Sequence, residues 1–175
     1  LNPPHLVPRV ELVPAPWTDA DAVRRTRALM ESVGQKPITM HKEVAGFIVN
    51  RLQVALLNEA FALIEDGCIT PEDLDKAVTH GLGLRWSVVG PFETIDLNAA
   101  RGLSHYVEIF GEKYYEMMKS RGAPRPWDER IVAEVDRAMR AVLPLTDIPS
   151  RQAWRDRQLT RLAVLRASLE AEQDS

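Results

Sequence analysis

The sequence has almost no cysteine, no excess of one charge sign, no uninterrupted apolar run of bilayer length and no glycine-rich turn of the kind that cradles a dinucleotide. The single cysteine, Cys68, excludes an intrachain disulfide and fits a reducing compartment, so a cytoplasmic location is expected. With 22 basic against 25 acidic residues the net charge is −3. That leaves no broad field to gather nucleic acid or an anionic lipid surface, so neither nucleic acid nor a membrane is expected as a partner. No basic-then-apolar leader is present, which favours a soluble chain. No G-x-G-x-x-G follows a strand pattern, so the usual seat for a pyrophosphate is missing. His5, His41, His80 and His105 lack metal-ligand spacing and acidic neighbours, and no metal is expected. The first residue is Leu1, followed by Asn2, Pro3 and Pro4, which suggests the interior of a longer protein.

What is there is mostly helix-forming, and 45% hydrophobic residues among 175 can build a core. Prolines at 3, 4, 8, 14 and 16 forbid a helix in the first seventeen residues, where Val10, Leu12 and Val13 supply strand character. Thr18, Asp19 and Asp21 open a helix over 19–33 that ends at Gly34. Residues 36–40 suit a second strand or an extended link. From Glu43 to Asp66 the sequence is apolar nearly all round and closes at Gly67. One small chain cannot easily cover such a helix, so a homodimer through helix 43–66 is expected.

Thr70-Pro71-Glu72-Asp73 is a strong helix start, and Gly81 reads as its stop. Gly81, Gly83, Gly90 and Pro91 then bracket an irregular loop carrying Arg85 and Trp86. Further helices are expected over 92–99, 103–120, 127–142 and 150–172.

Three residues stand out on chemical grounds. Glu11, between Val10 and Leu12, is costly unless a cation or donor meets it, although an outward-facing strand position would also explain it. Asn50 falls inside the long apolar helix, where it must find a hydrogen bond to a ligand or to a neighbouring loop. Arg85 could clamp a carboxylate or phosphate, or simply stack on Trp86. Cys68 has no base nearby and is expected to pack under the Gly67 turn.

NPPHLVPRVELV at 2–13, KEVAGFIVNRL at 42–52, TPEDLDKAVTHGLGLRW at 70–86 and GPFETIDL at 90–97 resemble the 3-hydroxyacyl-CoA dehydrogenase family, in the order and spacing of its C-terminal domain. The resemblance implies an all-α fold: a helical bundle of the 6-phosphogluconate dehydrogenase C-terminal-like type, with a short extended N-terminal segment and without its Rossmann domain. It implies three regions: 1–17 as the end of the NAD-binding domain, 18–122 as the substrate and dimerisation domain, and 123–175 as a helical extension.

By the same resemblance Glu11 matches the family glutamate that orients a general-base histidine, itself expected just before Leu1. Asn50 matches the asparagine near the substrate oxygen, and Asn2 belongs to the N-P motif at the substrate. The implied reaction oxidises a 3-hydroxyl to a 3-keto group, with NAD held by the chain's own N-terminal Rossmann domain as partner. Arg85 in GLGLRW and the tail at 151–165 resemble the branch that contains L-gulonate 3-dehydrogenase and lambda-crystallin. There Arg85 would bind the carboxylate of a small 3-hydroxy acid rather than a 3-hydroxyacyl-CoA. A non-catalytic helical oligomerisation or crystallin-like structural domain is the alternative, and a CoA-binding helical module a weaker one.

Overall fold

A computed structural model describes residues 6–122 and 126–173. The chain divides into two compact units, Leu1–Leu56 with Thr146–Ser175, and Leu57–Leu145.

In the first unit, β1 (Arg9–Leu12) pairs in parallel with β2 (Lys36–Thr39), with Glu11 opposite Ile38. A parallel pair needs a crossover, and α1 (Ala20–Ser32) supplies it. Asp19 caps α1 by accepting from the Asp21 amide at 2.6 Å. Arg27 ties the helix to β2 by donating to the Pro37 carbonyl at 3.0 Å and to Thr39 Oγ1 at 2.7 Å. The break expected after residue 17 therefore falls inside a β–α–β unit. The chain is mainly helical, as expected, and the two extended segments at 9–12 and 36–39 pair as a small two-stranded sheet.

The long helix α2 runs Phe47–Glu65 and begins at Phe47 rather than Glu43. The cause is a turn in which Gly46 has φ +78° and Phe47 has φ +51°, a conformation a side chain rarely tolerates. Asn50 consequently lies in the first turn of α2, not in the middle of a helix. The far end closes as expected: Gly67 takes φ +68°, its amide donating to Ile64 and that of Cys68 to Leu63, both at 2.9 Å.

Within α2 only Ala60 and Ile64 are buried, while Leu52 is 62% exposed. By length and a mean hydropathy of 1.4, these 19 residues could cross a bilayer, which corrects the sequence-based view that no such stretch exists. Asn50, Arg51, Asn58 and Glu59 hid it by interrupting the apolar run. Of these, Asn58 and Glu59 belong to the second unit and are held by protein there. Arg121 forks onto Glu59 at 2.8 Å through Nε and Nη2 and reaches Asp66 at 2.5 Å, and Trp127 donates to Asn58 Oδ1 at 2.9 Å while stacking on Phe61.

In the same unit α3 (Pro71–Ala77) starts on Thr70, whose hydroxyl accepts from the Asp73 amide at 3.2 Å. The helix does not stop at Gly81. It passes through a wide π turn, Val78–Leu82, into α4 (Gly83–Trp86), with the Gly83 amide reaching back to the Val78 carbonyl. A Cβ at 83 would stand 3.0 Å from that carbonyl oxygen, so this glycine relieves crowding instead of ending the helix. Next come α5 (Pro91–Leu97), α6 (Gly102–Ser120) and α7 (Glu129–Val142), whose Ile131 is 2% exposed. Asp96 of α5 caps α6 through the Leu103 amide at 2.7 Å, over Gly102 at φ +75°. Any Cβ on Gly102 would meet Asp96 Oδ1 at 2.7 Å. Cys68 is exposed rather than tucked under its turn, at an open cleft of about 470 Å³ beside Thr70, Asp73 and Glu134. After a short 3-10 turn, α8 (Ile148–Gln173) completes the described chain.

Candidate functional site

Glu11 meets the donors its apolar setting demands. Its Oε1 accepts from the amides of Ile48 at 2.8 Å and Val49 at 3.2 Å, the first turn of α2. Val44, Ala45 and Gly46, just before that turn, carry no side-chain acceptor, so Glu11 acts as the helix cap from a distant strand. The positive end of the helix favours the ionised carboxylate. Arg9 adds an ion pair, Nη1 to Oε1, at 3.2 Å, with the two side chains 22% and 17% exposed.

Partial burial pushes the Glu11 carboxyl up, but the two amides and the Arg9 guanidinium outweigh it and hold the group below the usual carboxylate range. All three contacts fall on Oε1. Among the described residues Oε2 receives no hydrogen bond.

Asn50 follows directly on the two amides that hold Glu11. Its side chain is exposed and has no hydrogen-bond partner among the described residues. The structure thus brings Glu11 and Asn50 to one end of one helix, within one unit. A strained backbone at Phe47 beside them is the kind of feature that collects at functional sites.

Arg85 belongs to the other unit. It sits exposed on the single turn of α4, not on a loose loop, because the π turn carries the helix through both glycines. No cation–π contact joins it to Trp86, and its guanidinium has no hydrogen bond or ion pair among the described residues. Its charge acts on Tyr106 of α6, whose hydroxyl shares a hydrogen bond with Tyr114. That bond raises the Tyr106 pKa, and Arg85 works against the rise. Asn2 lies outside the described residues, and the histidine expected before Leu1 is not in this sequence.

The β–α turn of the first unit does not suit a dinucleotide phosphate. Pro14 and Pro16 lack amide donors, and the N-terminus of α1 is already occupied by the Asp19 carboxylate, with Asp21 in the same turn. No NAD-binding role is assigned to these residues.

Sequence reasoning missed Arg9 and the Tyr106–Tyr114 pair. The signal for Arg9 was available: two residues apart on a strand, Arg9 and Glu11 share a face. The tyrosines share one face of α6 at a spacing of two turns, a pattern that ordinary core packing also produces.

Comparison with known proteins gives a consistent picture. Residues 46–138 match the 3-hydroxyacyl-CoA dehydrogenase C-terminal domain family, and residues 1–44 match the NAD-binding domain of the same enzymes. The chain is 40% identical to lambda-crystallin of Oryctolagus cuniculus, over 97% of its own length and 54% of that protein. It is also 40% identical to L-carnitine dehydrogenase of Oceanobacillus iheyensis, over 73% of the chain and 42% of that protein. Among solved structures, the NAD+-dependent dismutase 5-formyl-3-hydroxy-2-methylpyridine 4-carboxylic acid 5-dehydrogenase superposes with a TM-score of 0.73 at 30% identity. That match covers 95% of this chain and 54% of the other. The chain thus spans about half the length of the lambda-crystallins it resembles.

Proposed function

This chain belongs to the 3-hydroxyacyl-CoA dehydrogenase family, and from that premise we propose that it is the substrate-binding and dimerisation part of an NAD-dependent oxidoreductase that converts a 3-hydroxyl to a 3-keto group. In this reading residues 1–44 end the NAD-binding domain, a bundle of the 6-phosphogluconate dehydrogenase C-terminal-like type follows, and the stretch from about 123 onward extends it. One observation carries the proposal: Glu11 is held through one oxygen, and among the described residues neither its other oxygen nor the side chain of Asn50 beside it has a hydrogen-bond partner.

The chemistry divides between this chain and the half that precedes it. A histidine of the preceding half takes the hydroxyl proton. NAD, held by the preceding half, would supply the hydride acceptor for carbon 3. Glu11 accepts a hydrogen bond from the far imidazole nitrogen through Oε2, which fixes the tautomer and stabilises the imidazolium. Asn50 donates its amide to the substrate oxygen as that oxygen becomes a carbonyl.

For the substrate we favour a small free 3-hydroxy acid, such as L-gulonate, over a 3-hydroxyacyl-CoA. Arg85 is an exposed guanidinium with no carboxylate partner among the described residues. Two relatives are named for carboxylate-bearing compounds, carnitine and a pyridine carboxylic acid. In the full-length protein Arg85→Ala is expected to raise KM for a free 3-hydroxy acid by about 10- to 100-fold, the worth of one charge-assisted hydrogen bond. A CoA thioester should change little. The reverse pattern in steady-state kinetics would return the chain to the acyl-CoA branch.

We further propose a homodimer through α2, supported by the exposed Leu52, Val54, Leu56 and Leu57. A carboxylate in such an interface leaves a buried, unpaired charge. Leu52→Asp should therefore turn a dimer into a monomer in sedimentation velocity, and a wild-type chain already monomeric at micromolar concentration would defeat the idea.

A further inference from the structure

Glu11 is held by two backbone amides on a single oxygen, a place that either oxygen of a symmetric carboxylate could take. We infer that Arg9 is a positioning residue for Glu11: from the same face of β1 its charge adds a third contact to the oxygen that the first turn of α2 holds, so that the other oxygen is the one presented to the imidazole it serves. The inference deepens the function proposed above and depends on it only for the identity of that imidazole.

The geometry supports Arg9 over every other charge nearby. Its Nη1 stands 3.2 Å from Oε1, with both side chains largely covered, where an opposite charge is screened less than at the surface. On β2 the register sets Lys36 beside Arg9 and the apolar Ile38 beside Glu11. From α1, Arg24 is engaged by Asp21 and Arg27 by Glu31, Pro37 and Thr39. Between β2 and α2, His41, Lys42 and Glu43 are exposed. In the first turn of α2, Arg51 turns back to the Ala45 carbonyl at 3.5 Å. Arg9 Nη1 is buried and makes no hydrogen bond among the described residues, so the ion pair with Glu11 Oε1 is the contact that meets its charge.

Two consequences follow for a histidine that shares the carboxylate. A cation at this position keeps Glu11 ionised to lower pH, and it also opposes protonation of the neighbouring imidazole. Arg9 thereby offsets part of the rise in histidine pKa that an anionic partner alone would cause, and the base stays neutral further into the acid range.

The Ile48 and Val49 amides report the ionisation of Glu11 directly, because they donate to it. In a pH titration of the 175-residue chain followed by 1H–15N NMR, Arg9→Leu should move their common inflection upward by about one pH unit, the low end of an adjacent opposite charge. Arg9→Lys, which keeps the charge and guards against loss of the fold, should restore most of the shift. An inflection unmoved by Arg9→Leu overturns the inference. In the full-length protein the acid limb of kcat/KM should move to higher pH with Arg9→Leu, and an unmoved limb in an active enzyme also overturns it. If no form oxidises a 3-hydroxy acid, the proposed function fails while the amide titration still decides the role of Arg9.

Discussion

Glu11→Gln in the full-length protein is expected to lower kcat by about 10³- to 10⁴-fold, approaching the roughly 10⁴-fold loss seen when the acid behind a catalytic histidine is replaced by its amide. Glutamine keeps the size and can still accept from Ile48, but it removes the charge that stabilises the imidazolium and can favour the wrong tautomer. KM should change far less, since Glu11 is not assigned a contact with substrate. A fall in kcat of less than tenfold would remove Glu11 from the mechanism.

The same substitution carries a stability cost of about 1 kcal/mol, the usual worth of a helix cap. Its pH dependence has a definite sign. The folded Glu11 pKa is depressed, so the charge contributes stability above the unfolded value, about 4.3, and that contribution is lost as pH falls through the folded value. Urea unfolding should therefore show wild type and Glu11→Gln well separated at neutral pH and converging in acid.

Asn50→Ala should separate activity from stability. Its exposed side chain touches no polar partner among the described residues, so unfolding should change by less than about 0.5 kcal/mol. Loss of a donor to the developing carbonyl should lower kcat by about 10²- to 10³-fold. An unfolding midpoint that drops sharply, with kcat nearly intact, would assign Asn50 to the fold instead.

The parts of this fold that were legible in the sequence are those set by local chemistry. Thr70 with Pro71 marked a helix start, and Gly67 closed α2 because only glycine accepts φ +68° at no cost. What escaped was decided by contacts far apart in sequence. The pairing of β1 with β2 needs both strands and α1 together, and no single stretch of sequence announces it. The start of α2 moved because Phe47 takes a positive φ, which no propensity anticipates. Gly81 and Gly83 carry the usual signature of a stop, yet the π turn uses Gly83 for a close approach. At the site, Glu11 was marked as needing a cation or donor, but Arg9 was passed over although the strand period pointed to it.

The cap on α2 comes from 37 residues upstream of the amide it serves. Most helices carry their own starting signal, whereas this one borrows it, and closing a loop of that length costs on the order of 3 kcal/mol in chain entropy. The opening turn of α2 should consequently be among the last parts of the chain to settle during folding, after the strand that bears Glu11 has found its neighbour. On that order, the turn that carries Asn50 should gain hydrogen-exchange protection later than β1.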